Sequence, residues 1–407
     1  MATVTARTPS VFRSSAFARF YAGQTLSYLG DGLRTLAIPL LVFRLTGSAA
    51  AIGWTWGLEF VPYALLSVVA GSFADRVDRR RLMIACDALR FTVMVLFSVL
   101  FATGHLSVGM IYAGVVVLAI GGAMFLGAQT PTLPYLLGKE RAKPAIAALL
   151  ATEQTVNLIA PPIGGTLMGL LGPLPALIGN ALTYLCSQAA IVSVRTFGPD
   201  EPAAIPTARE IRADVATGWR YVWGDPAMRA ASCASFFFNA FGSIGFVALI
   251  PYFKRAFDAS DISVGIAFGC FSAGAALGAY VAGRTHWPIG RVLVVAGLLD
   301  ALGWLPLAWA PTMPIAVAGV MAASVCAGYY VTSMVSWRMR IVPEDVVGRV
   351  FGVAKLVVLL GVLPASLLGG WLADHAGVRA TMAISAFGLL ACSVGLIASR
   401  AFREERR

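Results

Sequence analysis

The sequence predicts an all-α integral membrane protein whose roughly twelve transmembrane helices form two parallel, pseudo-repeated six-helix bundles. Three observations carry that reading. The 407 residues are 58% hydrophobic and only 13% charged, with mean hydropathy +0.78, whereas a soluble domain carries about 25% charge. Apolar runs of roughly 20–26 residues recur from end to end, near the length that crosses a ~30 Å hydrocarbon core. Short basic loops separate those runs, so the net charge of +11 reads as a positive-inside bias and not as a nucleic-acid surface.

In order, the runs lie at 17–43, 50–74, 82–104, 109–129, 145–170 and 174–194. After a polar interval come 230–252, 262–283, 291–309, 314–336, 346–371 and 379–399. This gives an N-terminal bundle over 1–194, a linker over 195–229, and a C-terminal bundle with a short cytoplasmic tail over 230–407. An even number of spans puts both termini on one side. Placing them inside gathers the 76–81 arginines, Lys139, Arg141, Lys143, Arg338, Arg340 and Arg349 in the cytoplasm of a bacterial inner membrane. Little beyond Arg44, Lys254, Arg255 and Arg379 is left outside. Arg7, Arg13 and Arg19 lead into a span too long for a signal h-region, so no cleavable leader is expected. In the linker, Ile211, Val215, Trp219 and Val222 recur at helical spacing among arginines. That pattern suits a basic amphipathic helix lying in the interface, or a regulatory binding segment.

The halves repeat. Glu140, Gly164-Gly165 and Gly172 are matched by Asp345, Gly369-Gly370 and Gly377 at a single offset, and Asp87-Ala88-Leu89 recurs as Asp300-Ala301-Leu302. Two related halves suit alternating access around a central site.

Polar residues inside the spans mark the working surfaces, because a charge at membrane depth is costly unless it faces a partner or water. In the first span Gln24, Tyr28, Asp31 and Thr35 share one helical face, with Arg34 beside it. In the second, Glu59 and Tyr63 share a face, and Glu59 lies at a depth similar to Asp31, ~21 Å from the inner end at 1.5 Å per residue. Asp31, Arg34 and Glu59 are therefore candidates for proton or cation coupling, with Glu153 on the fifth span as a further one. An ion-pair cluster that only locks the first two helices together is the competing reading. Gln24, Tyr28, Tyr63, Asn157, Asn239 and Ser243 are candidates for a substrate cavity, and Phe60, Phe237 and Phe238 could line it. The seventh span offers Ser232, Ser235, Asn239 and Ser243 but no acid, so a charged N-terminal wall is expected to face a neutral C-terminal one. Asp300 and Lys355 either serve the cavity or neutralise each other.

The loop from Gly71 to Arg81 puts four arginines into the six residues 76–81. Each would cost about 2.5–3.5 kcal/mol at mid-membrane, so the loop is a short cytoplasmic turn. Gly71, Asp75, Arg76 and Arg79 are expected to act as a cytoplasmic gate, with Asp87 and Arg90 in a supporting salt-bridge network. Pro161, Pro162, Gly164 and Gly165 are expected to interrupt and bend the fifth helix. No metal or cofactor is expected. Cys86, Cys186, Cys233, Cys270, Cys326 and Cys392 lie singly in apolar stretches without a C-x-x-C pair, and His105, His286 and His375 are isolated. No HExxH or GxSxG constellation stands at membrane depth, which argues against an enzyme.

The pattern G-x-x-x-D-R-x-x-R-R over 71–80 resembles the signature of the major facilitator superfamily. Gly23-Gln24, Ser27 to Asp31, Leu45 to Ser48 and Gly218 to Pro226 make the chain similar to its macrolide-efflux and enterobactin-exporter branch. The resemblance implies export of amphipathic small molecules by proton antiport, with substrate, proton and lipid bilayer as partners and no required protein partner. Siderophore or metabolite export by the same architecture is the alternative; a non-transporting sensor or scaffold is the alternative from another class. The chain departs from the family pattern twice. Val156 and Ala160 replace glycines of the antiporter signature, and 109–129 lacks the basic residue that many drug antiporters carry in helix 4, leaving Arg34 as a local substitute.

Overall fold

The computed structural model describes residues 11–74, 77–194, 208–285, 287–343 and 346–398, and in these the chain is all-helical. Ten of the described helices are long and apolar enough to cross a membrane. The first group is α1 (Ser15–Thr46), α2 (Ala49–Ala74), α3 (Arg79–Ala102), α4 (Val108–Leu137), α5 (Lys139–Leu171) and α6 (Pro173–Val192). α7 (Ala208–Gly224) follows, then α8 (Pro226–Phe257), α9 (Asp261–Ala282), α10 (Ile289–Trp304), α11 (Met313–Ile341), α12 (Val347–His375) and α13 (Val378–Ala398). Several helices run past the hydropathy windows because polar residues cap them beyond the apolar stretch. Ser14 accepts the Phe17 amide at 3.3 Å before α1, and Asp225 accepts that of Met228 at 2.7 Å ahead of α8. α1 ends at Gly47, whose φ of 65° is the left-handed turn that glycine takes without strain.

α1 packs on α5 and α6, α3 on α4 and α6, and α2 on α4. The later helices repeat the scheme, with α8 on α12 and α13, α10 on α11 and α13, and α9 on α11. Two pairs tie the groups together, α2 with α12 and α5 with α9. Both crossings depend on the glycines of the internal repeat. A Cβ on Gly165 would lie 2.5 Å from the Gly265 Cα, and one on Gly370 would lie 2.7 Å from the Ala50 Cα. Lipid tails are as apolar as side chains, so close backbone approach supplies much of the helix association. Gly172 and Gly377, ending α5 and α12, both take positive φ, at 79° and 91°.

One expectation changes. Pro161 and Pro162 do not interrupt α5, which is continuous from Lys139 to Leu171. The α9 backbone packs against that stretch, with the Pro162 ring beneath Gly269 and the Thr166 hydroxyl donating to the Pro162 carbonyl at 2.8 Å. α7 docks on the later group: Gly218 meets the Arg349 backbone, Asp214 pairs with Arg349 at 2.7 Å, and Tyr221 donates to the Ile341 carbonyl at 3.1 Å. Its outer face leaves Arg209, Arg212, Trp219 and Arg220 exposed.

Candidate functional site

The fold brings the predicted acids into one network. Arg34 Nη2 pairs with Glu59 Oε1 at 2.8 Å, and its Nε lies 3.7 Å from Asp31 Oδ1. Arg90 from α3 reaches the other Asp31 oxygen at 3.6 Å and also pairs with Asp87. The Tyr184 hydroxyl donates to Asp31 Oδ1 at 2.5 Å. Three carboxylates and two guanidiniums therefore form one chain, Asp87–Arg90–Asp31–Arg34–Glu59. Its inner end is sealed and its outer members are not. The Asp87 side chain is 0% exposed and that of Arg90 5%, whereas Asp31 and Glu59 keep 32% and 23% of theirs open. Glu153 is half-buried and interacts electrostatically with Asp31.

Asp87 and Arg90 thus join the Asp31 cluster and not the arginine loop. The reason is helical rise. Arg90 stands three turns into α3, about 16 Å from its start, level with Asp31. Its guanidinium lies between the Phe125 and Tyr184 rings, at 4.7 and 4.5 Å from their centroids. A cation from α3 therefore rests against α4, the helix that carries no basic residue of its own at this depth.

Below this chain a neutral network holds the same helices. Gln24 is fully buried, donates to the Ser187 hydroxyl at 3.1 Å and accepts from the Gln129 amide at 2.8 Å. Gln129 also donates to the Tyr28 hydroxyl at 3.0 Å. Gln24 is consequently a framework residue and does not line the cavity. Asn157 is exposed on α5, and the Tyr63 side chain lies outside what is described.

Among the described residues of the arginine loop, Asp78, Arg79 and Arg80 make contacts with α3, α4 and α6. Asp78 caps α3 by accepting the Arg81 amide at 3.1 Å. Arg79 is buried, donates to the Pro131 carbonyl at 3.1 Å and lies over the Tyr135 ring, while Arg80 donates to the Val192 carbonyl at 2.5 Å. Val192 is the last residue of α6, so Arg80 satisfies a carbonyl that this helix cannot pair internally. Gly71 lies in the last turn of α2; Asp75 and Arg76 fall outside the described residues.

Two adjoining cavities, of about 380 and 780 Å³, lie among α8, α10, α11 and α12. Asn239, Tyr330 and Lys355 line both. Ser243 and Asp300 line the inner cavity with the rings of Trp56, Phe60, Phe246 and Phe271. The outer one runs to Arg338, Arg349 and Asp214, toward the membrane end that carries the arginine loop. The expectation of a neutral C-terminal wall does not hold, because α10, α11 and α12 each bring a charge that the seventh span lacks. Asp300 accepts the Trp304 indole N–H at 3.1 Å, and among the described residues no ion pair joins it to a cation. Of the sequence candidates, Asn239, Ser243, Phe60, Phe238, Asp300 and Lys355 line these cavities, and Tyr330 and Arg338 complete them. The Asp87/Asp300 sequence repeat was the signal that pointed to α10.

The opposite membrane end is closed. Arg44 pairs with Asp261 and donates to the Met168 carbonyl at 3.1 Å, and Lys254 pairs with Asp261 at 2.5 Å. Arg255 pairs with Asp374 at 2.6 Å. Among the described residues there is no group of His, Cys, Asp and Glu able to hold a metal ion.

Residues 6–405 match the model of a family described as "transmembrane secretion effector". Among curated proteins, the multidrug efflux pump Tap of Mycolicibacterium fortuitum is 25% identical over 371 residues, 86% of this chain and 88% of that protein. The enterobactin exporter EntS of Escherichia coli is 25% identical over 96% of this chain and 92% of its own. Among solved structures, a bacterial homologue of the human lysosomal transporter Spinster, inward-facing and unoccupied, superposes with a TM-score of 0.74 at 16% identity. That likeness covers 98% of this chain and 99% of the other. A bacterial homologue of the iron transporter ferroportin, also inward-facing, gives 0.72 at 15% identity over 96% and 99%. At such identity the structures establish the fold alone.

Proposed function

Because the chain belongs to the transmembrane secretion effector family of the major facilitator superfamily, a fold of secondary transporters that move small molecules and are not enzymes, we propose that it exports amphipathic compounds by proton antiport. In this reading α2 and α5 complete a set of twelve spans in two six-helix bundles, 1–194 and 230–407, with 195–229 between them. The arginine end faces the cytoplasm of a bacterial inner membrane, where positive loops are retained. Arg79, with Gly71, Asp75 and Arg76, governs closure of that end.

The observation that carries the coupling reading is the composition of the ion chain. Three carboxylates and two guanidiniums leave one negative charge in excess, so a single proton makes the chain neutral. The two acids that retain exposure, Asp31 and Glu59, are the ones that could receive it. Arg34 lies between them, so protonating Glu59 frees Arg34 to turn fully toward Asp31. That shift would alter the α1–α2 contact, which gives proton uptake a mechanical consequence. A charge removed inside a low-dielectric site has a larger effect than one removed in water.

Substrate enters the cavities of the later helices. The rings around Asp300 fit an apolar or cationic body, in keeping with the multidrug pump among the relatives. Lys355 and Arg338, on the way in, favour a second reading, an anionic amphiphile, in keeping with the enterobactin exporter. Uptake into everted proteoliposomes under an imposed pH gradient, with a lipophilic cation, a macrolide and a catecholate siderophore, separates these. Asp300→Asn is expected to depress uptake of the cation selectively, and Lys355→Gln that of the siderophore. Transport of none of the three, with protein correctly inserted, would count against drug or siderophore export.

A further inference from the structure

The four basic residues that the positive-inside pattern leaves on the opposite side are not scattered. Three of them meet two acids at one place, the closed end. Asp374, in the last turn of α12, accepts the backbone amides of Ala49 and Ala50, both at 2.9 Å, and the Ser48 hydroxyl at 2.6 Å. These are donors that the first turn of α2 leaves without an intrahelical partner, and a carboxylate there is also favoured by the helix dipole. The carboxylate that caps this helix is thus supplied by another helix, more than three hundred positions away in the chain. Arg255 of α8 completes the contact. It donates to Asp374 at 2.6 Å, to the Gly47 carbonyl at 2.6 Å and to the Ala373 carbonyl at 3.0 Å. The left-handed Gly47 turns its carbonyl to that guanidinium, which gives the Thr46-Gly47-Ser48 turn a purpose that its sequence alone does not reveal.

The sequence around Asp374 repeats a pattern found elsewhere. Gly370, Ala373, Asp374 and Arg379 have the same spacing as Gly71, Ala74, Asp75 and Arg80 of the arginine loop. α2 and α12 run antiparallel, since Gly53 faces Ser366 and Gly57 faces Leu363 while Ala50 faces Gly370. The two copies therefore end their helices at opposite membrane ends.

We propose that Asp374 and Arg255 form a latch that holds the end opposite the arginine loop shut, by capping α2 from α12, and that releasing this cap is a required step of outward opening. Asp261, buried at the head of α9 between Arg44 and Lys254, is a second clasp across the α1–α9 contact. The α2 amides lose their acceptor when the helices part, so opening exchanges this cap for water. The latch operates whatever the substrate and does not depend on proton coupling.

The test is labelling of Ser366→Cys, 1% exposed beside Gly53, by a membrane-impermeant maleimide applied only to the face opposite the arginine loop. Rates are taken as the difference from the same chain without that cysteine. Asp374→Ala and Arg255→Ala are each expected to label on the order of tenfold faster than the parent, because each removes a helix cap or its support. Asp374→Asn, which keeps an acceptor for one amide, should fall between and serves if the alanine variant does not fold. The exchange Asp374→Arg with Arg255→Asp should not restore slow labelling, because an arginine cannot cap an N-terminus. Parent-like rates in both single variants, or full rescue by the exchange, would overturn the proposal. Neither result would bear on which compound is carried.

Discussion

Removing the Arg90 guanidinium should destabilise the protein far more than removing the Asp87–Arg90 pair together. Asp87 is 0% exposed and Arg90 5%, so Arg90→Leu leaves a carboxylate sealed among helices with no cation beside it. Breaking one side of such a buried pair costs about 3–5 kcal/mol. The lost contacts with the Phe125 and Tyr184 rings add about 1 kcal/mol or more. Asp87→Asn strands the guanidinium instead and should cost about 3 kcal/mol, less than the first because Asp31 still faces it. The double variant strands neither charge, since Asp31 keeps Arg34, the Tyr184 hydroxyl and partial exposure to water. Its cost should be about 2 kcal/mol, so the coupling between the sites is several kcal/mol. SDS titration of the protein in mixed micelles, followed by tryptophan fluorescence, measures all three. Additivity of the two single changes to within about 0.5 kcal/mol would mean that the pair is not a unit, and the chain of five charges would have to be abandoned.

Three further outcomes follow from the geometry. Gly165→Leu places a side chain where Gly265 and the Asp261 carbonyl already lie, so it should splay α5 from α9 and abolish closure of that end, read as fast external labelling of Ser366→Cys with folding retained. Gln129→Leu removes a partner of both Gln24 and Tyr28 and leaves the buried Gln24 amide oxygen without its donor, which should cost about 1–3 kcal/mol in the same SDS titration; a change below 0.5 kcal/mol would contradict the network, a threshold that is about the scatter of surface substitutions. Trp304→Phe removes the hydrogen bond to Asp300 but keeps an aromatic wall, so transport should fall several-fold without the selective loss expected of Asp300→Asn; equal effects would make Asp300 a packing residue.

The helices were legible because hydropathy length and loop charge are local properties, and so were the meeting of Asp31, Arg34 and Glu59, which needs only helical spacing on neighbouring spans. Arg90 was readable as a charge but not as a partner of Asp31, since its depth depends on where α3 begins and how it crosses α1. The closed end shows the limit most clearly. Arg44, Lys254 and Arg255 read as leftovers of a charge rule, yet their partners Asp261 and Asp374 lie on other helices, more than a hundred residues away in two of the pairings. Pro161-Pro162 misled in the other direction. Proline removes amide donors, but a neighbouring backbone packed at Gly265 and Gly269 keeps the helix continuous.

In the proposed function the Asp31–Arg34–Glu59 segment exchanges the coupling proton. Substrate-dependent proton movement in proteoliposomes, reported by an internal pH dye for wild type, Asp31→Asn and Glu59→Gln, tests it most directly. A transported compound should drive proton flux in the wild type, and at least one of the two substitutions should abolish the flux while substrate binding persists. Undiminished gradient-driven transport in both variants would contradict it, and would leave the five-charge chain as a lock between α1, α2 and α3.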